Sequence, residues 1–186
     1  LIGHSMGAGV ATCVAGILRE RVKRLILVEG LGPLSQPAEK VTELMRDSIQ
    51  QWNSLKTKKS PVYQNREEAV RARHFAGKLK KSSVETLVAR GLGENTDGLV
   101  WRSDPRLRIK SRLYLSEAQI LQMIQDITAH VLVIEAEDTD TRRWVDLLRS
   151  RLGYVKNLDH RILPGGHHLH LDEPQSVASA IKDFLE

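Results

Sequence analysis

The chain has 186 residues, 41% of them hydrophobic and 27% charged, which excludes disordered, collagen-like and coiled-coil proteins and suffices for one ordinary domain with a core. The single cysteine, Cys13, excludes an intramolecular disulfide and a cysteine-based zinc site, and no apolar run reaches the roughly 20 residues of a membrane span. The formal net charge is +5, but aromatic residues make up only 4%, so we expect no nucleic-acid partner.

The start of the chain carries no charged segment followed by an apolar one, as a secretory leader would. Together with the lone cysteine, this favours a cytoplasmic location or another reducing compartment. Leu1 stands inside what reads as a buried strand. We therefore expect the chain to be the C-terminal part of a longer protein, whose preceding segment could carry a targeting signal.

The first predicted elements form a strand, a tight turn and a helix. Leu1 and Ile2 lead into the turn Gly-His-Ser-Met-Gly, and residues 8–21 carry small and apolar side chains at helical spacing. Residues 24–29 then form a short, nearly continuous apolar run before Gly30, which is typical of a strand buried on both faces of a parallel sheet. This order predicts a βαβ unit.

The middle of the chain reads differently from its ends. Amphipathic patterns predict helices at residues 38–55, 66–79, 82–90 and 116–127, and alternation predicts a short strand at 98–102. We expect residues 35–128 to form a mainly helical cap that roofs the site and sets substrate choice.

Sheet character returns near the C-terminus. A strand is predicted at residues 130–135, a helix at 141–152, a strand at 160–163, a Gly-His loop, and a last helix at 173–185. The expected fold is therefore α/β, a mostly parallel sheet flanked by helices. Residues 1–34 and 129–186 form its core, and the helical cap is inserted between them.

The turn at residues 3–7 matches the Gly-x-Ser-x-Gly nucleophile elbow in its required context between strand and helix. The turn is so sharp that we expect a strained backbone at Ser5 and a need for very small residues at positions 3 and 7. It would expose the Ser5 hydroxyl at a helix N-terminus, where negative charge is favoured. The Met6 amide is then placed to donate to an oxyanion.

Three histidines follow the last predicted strand, in the segment PGGHHLHLDEP. Gly165 and Gly166 would give His167 the backbone freedom to reach Ser5 as a general base, with His168 and His170 as packing neighbours. We expect no metal site, because no cysteine stands nearby and the loop lacks the helical spacing of common zinc motifs.

The acid that would orient the histidine is open among three residues. Asp138 and Asp140 follow the strand predicted at 130–135, which is the usual place for such an acid. They could equally cap the helix that begins near residue 141. Glu29, at the end of the strand at 24–29, is a further candidate. We rank Asp138 first, Asp140 second and Glu29 third.

The chain resembles the α/β-hydrolase superfamily in its order of serine, acid and histidine and in the segments GHSMG, VLVIEAED and PGGHHLHLDEP. More narrowly, it resembles the serine hydrolase-like proteins in GLVWRSDPRL, AHVLVIEAE and PGGHHLHLDEPQSVASAIKDFL. The resemblance spans essentially the whole chain and implies Ser5 as nucleophile and His167 as base. One departure concerns the acid motif Gly-x-x-Asp, in which Ala136 replaces the glycine and Thr139 stands at the third position beyond it.

A second departure is that the superfamily's strands before the elbow, and the loop that supplies a second oxyanion-hole amide, do not occur in this sequence. We predict a serine hydrolase acting on a carboxylic ester, amide or thioester without a cofactor or metal, although this chain by itself could be inactive. The expected partner is a small molecule with an apolar acyl or alkyl group, contacted by His4 and Trp101. The alternative is a hydrolase-fold protein that binds a ligand without turnover. The sequence leaves the oligomeric state open.

Overall fold

The structure, a computed structural model, describes residues 1–55, 57, 60–139 and 142–186, without the side chains of residues 142 and 143. The chain forms two compact units, one of residues 1–38 and 114–186 and the other of residues 39–113. Among the described residues, no helix has the length and apolar character needed to cross a bilayer.

The described chain contains six strands and eight α-helices. The strands are β1 (Ile2–His4), β2 (Arg24–Val28), β3 (Leu92–Asn95), β4 (Gly98–Trp101), β5 (His130–Ala136) and β6 (Leu158–Leu163). The helices are α1 (Met6–Leu18), α2 (Val41–Leu55), α3 (Arg66–Phe75), α4 (Lys81–Gly91), α5 (Glu117–Gln125), α6 (Arg142–Leu152), α7 (Leu169–Asp172) and α8 (Pro174–Leu185).

The first unit is built on a parallel sheet with the strand order β1-β2-β5-β6. In its register, Gly3 pairs with Leu27, Leu27 with Val133, and Val133 with His160. The two central strands are apolar almost throughout because both of their faces are covered. The carboxyl ends of all four strands therefore point toward one edge, where an α/β fold places its site.

Successive residues of β2 and β5 face opposite sides of the sheet and enter two separate cores. Leu25, Leu27, Val131 and Val133 pack with apolar residues of α1, α5 and α6. The intervening residues of both strands pack with α7 and α8. The first helix lies very close to α5, since a Cβ at Gly16 would stand 2.5 Å from the Met123 carbonyl oxygen.

The second unit contains α2, α3, α4 and the antiparallel hairpin β3–β4, in which Leu92 pairs with Trp101. Its buried apolar residues include Leu44, Ala69, Leu79, Val84, Val88 and Leu92. The segment of β3, Leu-Gly-Glu-Asn, carries little strand propensity, and we did not predict it as a strand. It is a strand because β4 pairs with it.

The predicted cap at residues 35–128 is longer than the second unit, which ends at residue 113. The helix α5 belongs to the first unit instead, because Ile120 and Ile124 are fully buried in the core that contains Leu25 and Leu27. Amphipathic periodicity identifies such a helix but does not specify which core its apolar face enters.

Candidate active site

The turn between β1 and α1 holds Ser5 in a left-handed backbone conformation, with φ 52° and ψ −116°. Such a φ is uncommon for a residue with a side chain and persists only where the surroundings enforce it. The Ser5 amide donates to the Val28 carbonyl at 3.0 Å, and the Ser5 carbonyl accepts from the Ala8 amide at 3.0 Å. Neighbouring backbone on both sides thus fixes the turn.

The glycines on either side of Ser5 do not have equal roles. A Cβ at Gly3 would lie 2.3 Å from the Gly7 carbonyl oxygen, whereas a Cβ at Gly7 would meet nothing within 4 Å. The expectation that both positions need a very small residue is therefore correct for Gly3 and wrong for Gly7 in the described structure. The turn brings the Gly7 carbonyl against Gly3, but a Cβ built on Gly7 would point into open space.

A chain of hydrogen bonds joins three side chains from three different segments. The Ser5 hydroxyl oxygen is 2.9 Å from Nε2 of His167, and Nδ1 of His167 is 3.1 Å from Oε2 of Glu29. Ser5 follows β1, Glu29 follows β2, and His167 lies in the loop after β6. The parallel sheet brings these strand ends to one edge, which is why residues up to 162 positions apart meet.

Glu29 is completely buried and firmly held. Besides His167, its carboxylate accepts from the Ala136 amide and the Thr139 hydroxyl, each at 2.7 Å. Its own backbone has φ 53°, and its amide donates to the Ile134 carbonyl at 2.8 Å. Burial raises the pKa of Glu29, but the hydrogen bonds from His167, Ala136 and Thr139 outweigh it, so the pKa lies below its ordinary value.

The structure corrects the ranking of the acids. Asp138, which we ranked first, has an exposed side chain, and in the described part of the chain it is Glu29 whose carboxylate contacts Nδ1 of His167. The Asp138 backbone amide instead donates to the Gly165 carbonyl at 3.0 Å. Asp140, which we ranked second, lies outside the described residues.

A signal for Glu29 was present in the sequence but was outweighed. Glu29 directly follows an apolar strand and precedes Gly30. This is the position at which an α/β fold places an acid that orients a histidine. The departure from the acid motif after β5 is a second signal, because Thr139 stands at the third position after Ala136, where the motif has Asp. In the structure the Thr139 hydroxyl donates to Glu29. The usual position of the acid, after β5, does not apply in the described part of this chain.

The remaining predicted site residues lie as follows. Met6 is the first residue of α1, where helix amides have no partner within the helix. Nε2 of His4 is 2.7 Å from the His167 carbonyl oxygen and donates to it. Trp101 lies in the second unit, with its indole N–H 3.3 Å from the Tyr63 hydroxyl. The substrate contacts predicted for His4 and Trp101 stay predictions.

The arrangement is capable of nucleophilic chemistry. With Nδ1 of His167 donating to the Glu29 carboxylate, Nε2 carries the lone pair and accepts from the Ser5 hydroxyl. The hydroxyl, the imidazole and the carboxylate are then all within the hydrogen-bond reach that a nucleophile, its base and an orienting acid require.

The sequence of the chain is similar to those of known proteins. The model of the family described as "Alpha/beta hydrolase family" matches residues 1–180. A serine hydrolase-like protein of Dictyostelium discoideum is 28% identical over 199 residues, covering 100% of this chain and 55% of that protein. One from Danio rerio is also 28% identical, with 100% and 60% coverage. The chain thus spans a little over half the length of these curated relatives.

Solved structures agree with the fold. The crystal structure of a hypothetical protein from Pseudomonas aeruginosa PAO1 matches with a TM-score of 0.88 and 35% identity, covering 100% of this chain and 66% of that one. A thioesterase domain from the curacin biosynthetic pathway matches with a TM-score of 0.72 and 27% identity, covering 97% and 63%.

Proposed function

Because the chain belongs to the alpha/beta hydrolase family, we propose that it carries the nucleophile, base and acid of a serine hydrolase. The observation behind this proposal is the continuous hydrogen-bonded chain from Ser5 through His167 to Glu29. The reaction would cleave a carboxylic ester, or an amide or thioester, through an acyl-enzyme on Ser5.

In the first half-reaction, Ser5 Oγ attacks the substrate carbonyl carbon while Nε2 of His167 takes the hydroxyl proton. The tetrahedral intermediate collapses when the bond to the leaving group breaks, and His167 gives its proton to that group. Water then attacks the acyl carbon while His167 takes a proton from it. The bond between the acyl carbon and Ser5 Oγ breaks, His167 returns the proton to Oγ, and the carboxylic acid leaves. Glu29 keeps Nδ1 of His167 protonated and stabilises the imidazolium formed in each half-reaction.

The negative oxygen of both intermediates needs donors. The Met6 amide, at the start of α1, is one proposed donor, and the helix dipole adds to its effect. Loss of one such donor lowers kcat by roughly 10² to 10³.

The proposed substrate is a small molecule with an apolar acyl or alkyl group. Support for the acyl class comes from the 27% identical neighbour, which is described as a thioesterase domain, so a thioester belongs among the substrates to be tested first. His4, which is next to Ser5 in sequence, is a proposed contact of this substrate, and the contact predicted for Trp101 stays a prediction.

Fluorophosphonate labelling of the natural protein, purified at its full length, tests this proposal. We expect stoichiometric labelling that Ser5→Ala abolishes and that Ser103→Ala, an exposed serine of the second unit, leaves unchanged. A folded protein that takes up no label would overturn the acyl-enzyme mechanism. Ligand binding without turnover, the alternative function, would then explain the fold better.

A further inference from the structure

A second cluster of titratable side chains lies beside the proposed triad and takes no part in it. It consists of His4, His168 and His170, each partly buried. One ring nitrogen from each histidine lies within 4.8 Å of those of the other two. The rings of His4 and His170 are the closest pair, with centroids 4.0 Å apart. Residues from β1 and from the segment around α7 thus converge on a single point.

The protonation state of His4 follows from its hydrogen bond. A carbonyl oxygen only accepts, so Nε2 of His4 carries the hydrogen that it donates to the His167 carbonyl at 2.7 Å. In the neutral ring, Nδ1 then carries a lone pair. A histidine that donates one ring N–H to a backbone carbonyl and offers the other nitrogen is the arrangement found around protein-bound metals.

His170 supplies an independent observation. Its Nδ1 is buried and has no hydrogen-bond partner among the residues that the structure describes. Buried polar atoms nearly always have a partner. Where one does not, an ion that binds at that atom is one of the few explanations. A metal ion bound at this point would give the Nδ1 atom of His170 the partner that it lacks.

We propose that His4, His168 and His170 bind one divalent transition-metal ion, with Zn²⁺ as the best fit. Neutral imidazole suits zinc, copper and nickel, whereas calcium and magnesium require oxygen ligands. Tetrahedral zinc with bonds of about 2.0–2.1 Å needs ligand nitrogens roughly 3.4 Å apart, so small rotations of the rings must bring them together. Three protein ligands leave a fourth position for water or another small ligand.

Co²⁺ is the direct probe, because tetrahedral Co²⁺ gives visible absorption that Zn²⁺ abolishes by displacement. Tag-free, chelator-treated protein is titrated with Co²⁺ and then with Zn²⁺. We expect one saturable equivalent, with affinity weakened at least tenfold by His168→Ala and by His170→Ala. His74→Ala, an exposed histidine on α3, is the matched control and should bind like the original protein.

Ser5 is not among the proposed ligands, so Ser5→Ala protein should bind Co²⁺ with unchanged affinity. This control separates failure of the metal site from failure of the proposed function. Absence of saturable binding would overturn the proposal, and so would His168→Ala and His170→Ala proteins that bind Co²⁺ with the affinity of the original protein. If circular dichroism shows that either alanine variant is unfolded, His170→Gln, which keeps a polar side chain of similar size, replaces it. This variant should also bind Co²⁺ at least tenfold more weakly than the original protein.

Discussion

The buried carboxylate of Glu29 is stabilised by three hydrogen-bond donors. The His167 ring, the Ala136 amide and the Thr139 hydroxyl each contact it, and its side chain is only 1% exposed. An ionised carboxylate in a buried place is stable only with such partners. The same contacts hold the His167 ring in the orientation that the proposed reaction needs.

Glu29→Gln should lower kcat by on the order of 10³- to 10⁴-fold, because the amide favours the wrong tautomer of His167 and no longer balances the imidazolium. Asp138→Asn, at the exposed acid after β5, should change kcat less than about threefold. Steady-state kinetics on an activated ester, with the fluorophosphonate labelling rate as a second readout, checks both variants. A larger loss for Asp138→Asn than for Glu29→Gln would refute the assignment of Glu29.

Glu29 should also make stability depend on pH. Its pKa is lowered in the folded state, so its stabilising contribution is fully present above the ordinary value of 4.5 and is lost as the pH falls through the folded pKa. We expect the difference in free energy of unfolding between the original protein and Glu29→Gln to shrink from pH 6 to pH 3.5. Urea unfolding at both pH values measures this difference in free energy. Glu94→Gln, a substitution at an exposed glutamate, is the control. A difference that is the same at both values would contradict this expectation.

The element that positions Ser5, the proposed nucleophile, is the strand–turn–helix of residues 2–18. Its sharp turn forces the Gly7 carbonyl against Gly3, and the left-handed conformation of Ser5 follows from the same geometry. The strain is balanced by the hydrogen bond from the Ser5 amide to β2 and by the bonds that begin α1. The turn is therefore stable only as part of the sheet.

Gly3→Ala should destabilise the protein by roughly 1–3 kcal/mol or prevent folding, because its methyl group collides with backbone. Gly7→Ala is the matched control, since its methyl group meets nothing and alanine favours a helix by about 1 kcal/mol over glycine. Urea unfolding of the two variants tests this asymmetry. Equal destabilisation by both substitutions would show that the turn does not have the described geometry.

At the scale of the whole molecule, one buried arginine joins distant parts of the first unit. The Arg151 side chain, 1% exposed, pairs with Glu117 of α5 at 2.7 Å. It also donates to the carbonyls of Leu31 and Pro33, at 2.6 and 2.9 Å. Arg151 thereby connects α6, α5 and the segment that follows Glu29.

Arg151→Met should lower the free energy of unfolding by roughly 2–4 kcal/mol, because the buried carbonyl of Leu31 and the partly buried carbonyl of Pro33 lose their donor. The loss stays below that of a fully buried pair, since the Glu117 side chain is 38% exposed and water can solvate it. Arg106→Met removes an arginine from an exposed pair with Asp104 and should change stability by less than about 1 kcal/mol. Thermal and urea unfolding compare the two, and equal effects would refute the structural role of Arg151.

The sequence by itself determined the fold class, most helices and strands, and Ser5 and His167 as the pair to examine. These features depend on short-range periodicity and on a turn whose glycine spacing reflects local backbone geometry. The interval from residue 3 to residue 7 was therefore sufficient to identify Ser5 as the proposed nucleophile.

Only the tertiary structure decided which acid reaches His167, which core receives α5, and that His4 meets His168 and His170. Each of these depends on the order and register of parallel strands far apart in the chain. Candidates at the ends of β2 and β5 look alike in sequence, because both follow apolar strands at the same edge of the sheet. Their separate roles arise from the side-chain directions and loop conformations that packing imposes after the sheet has formed.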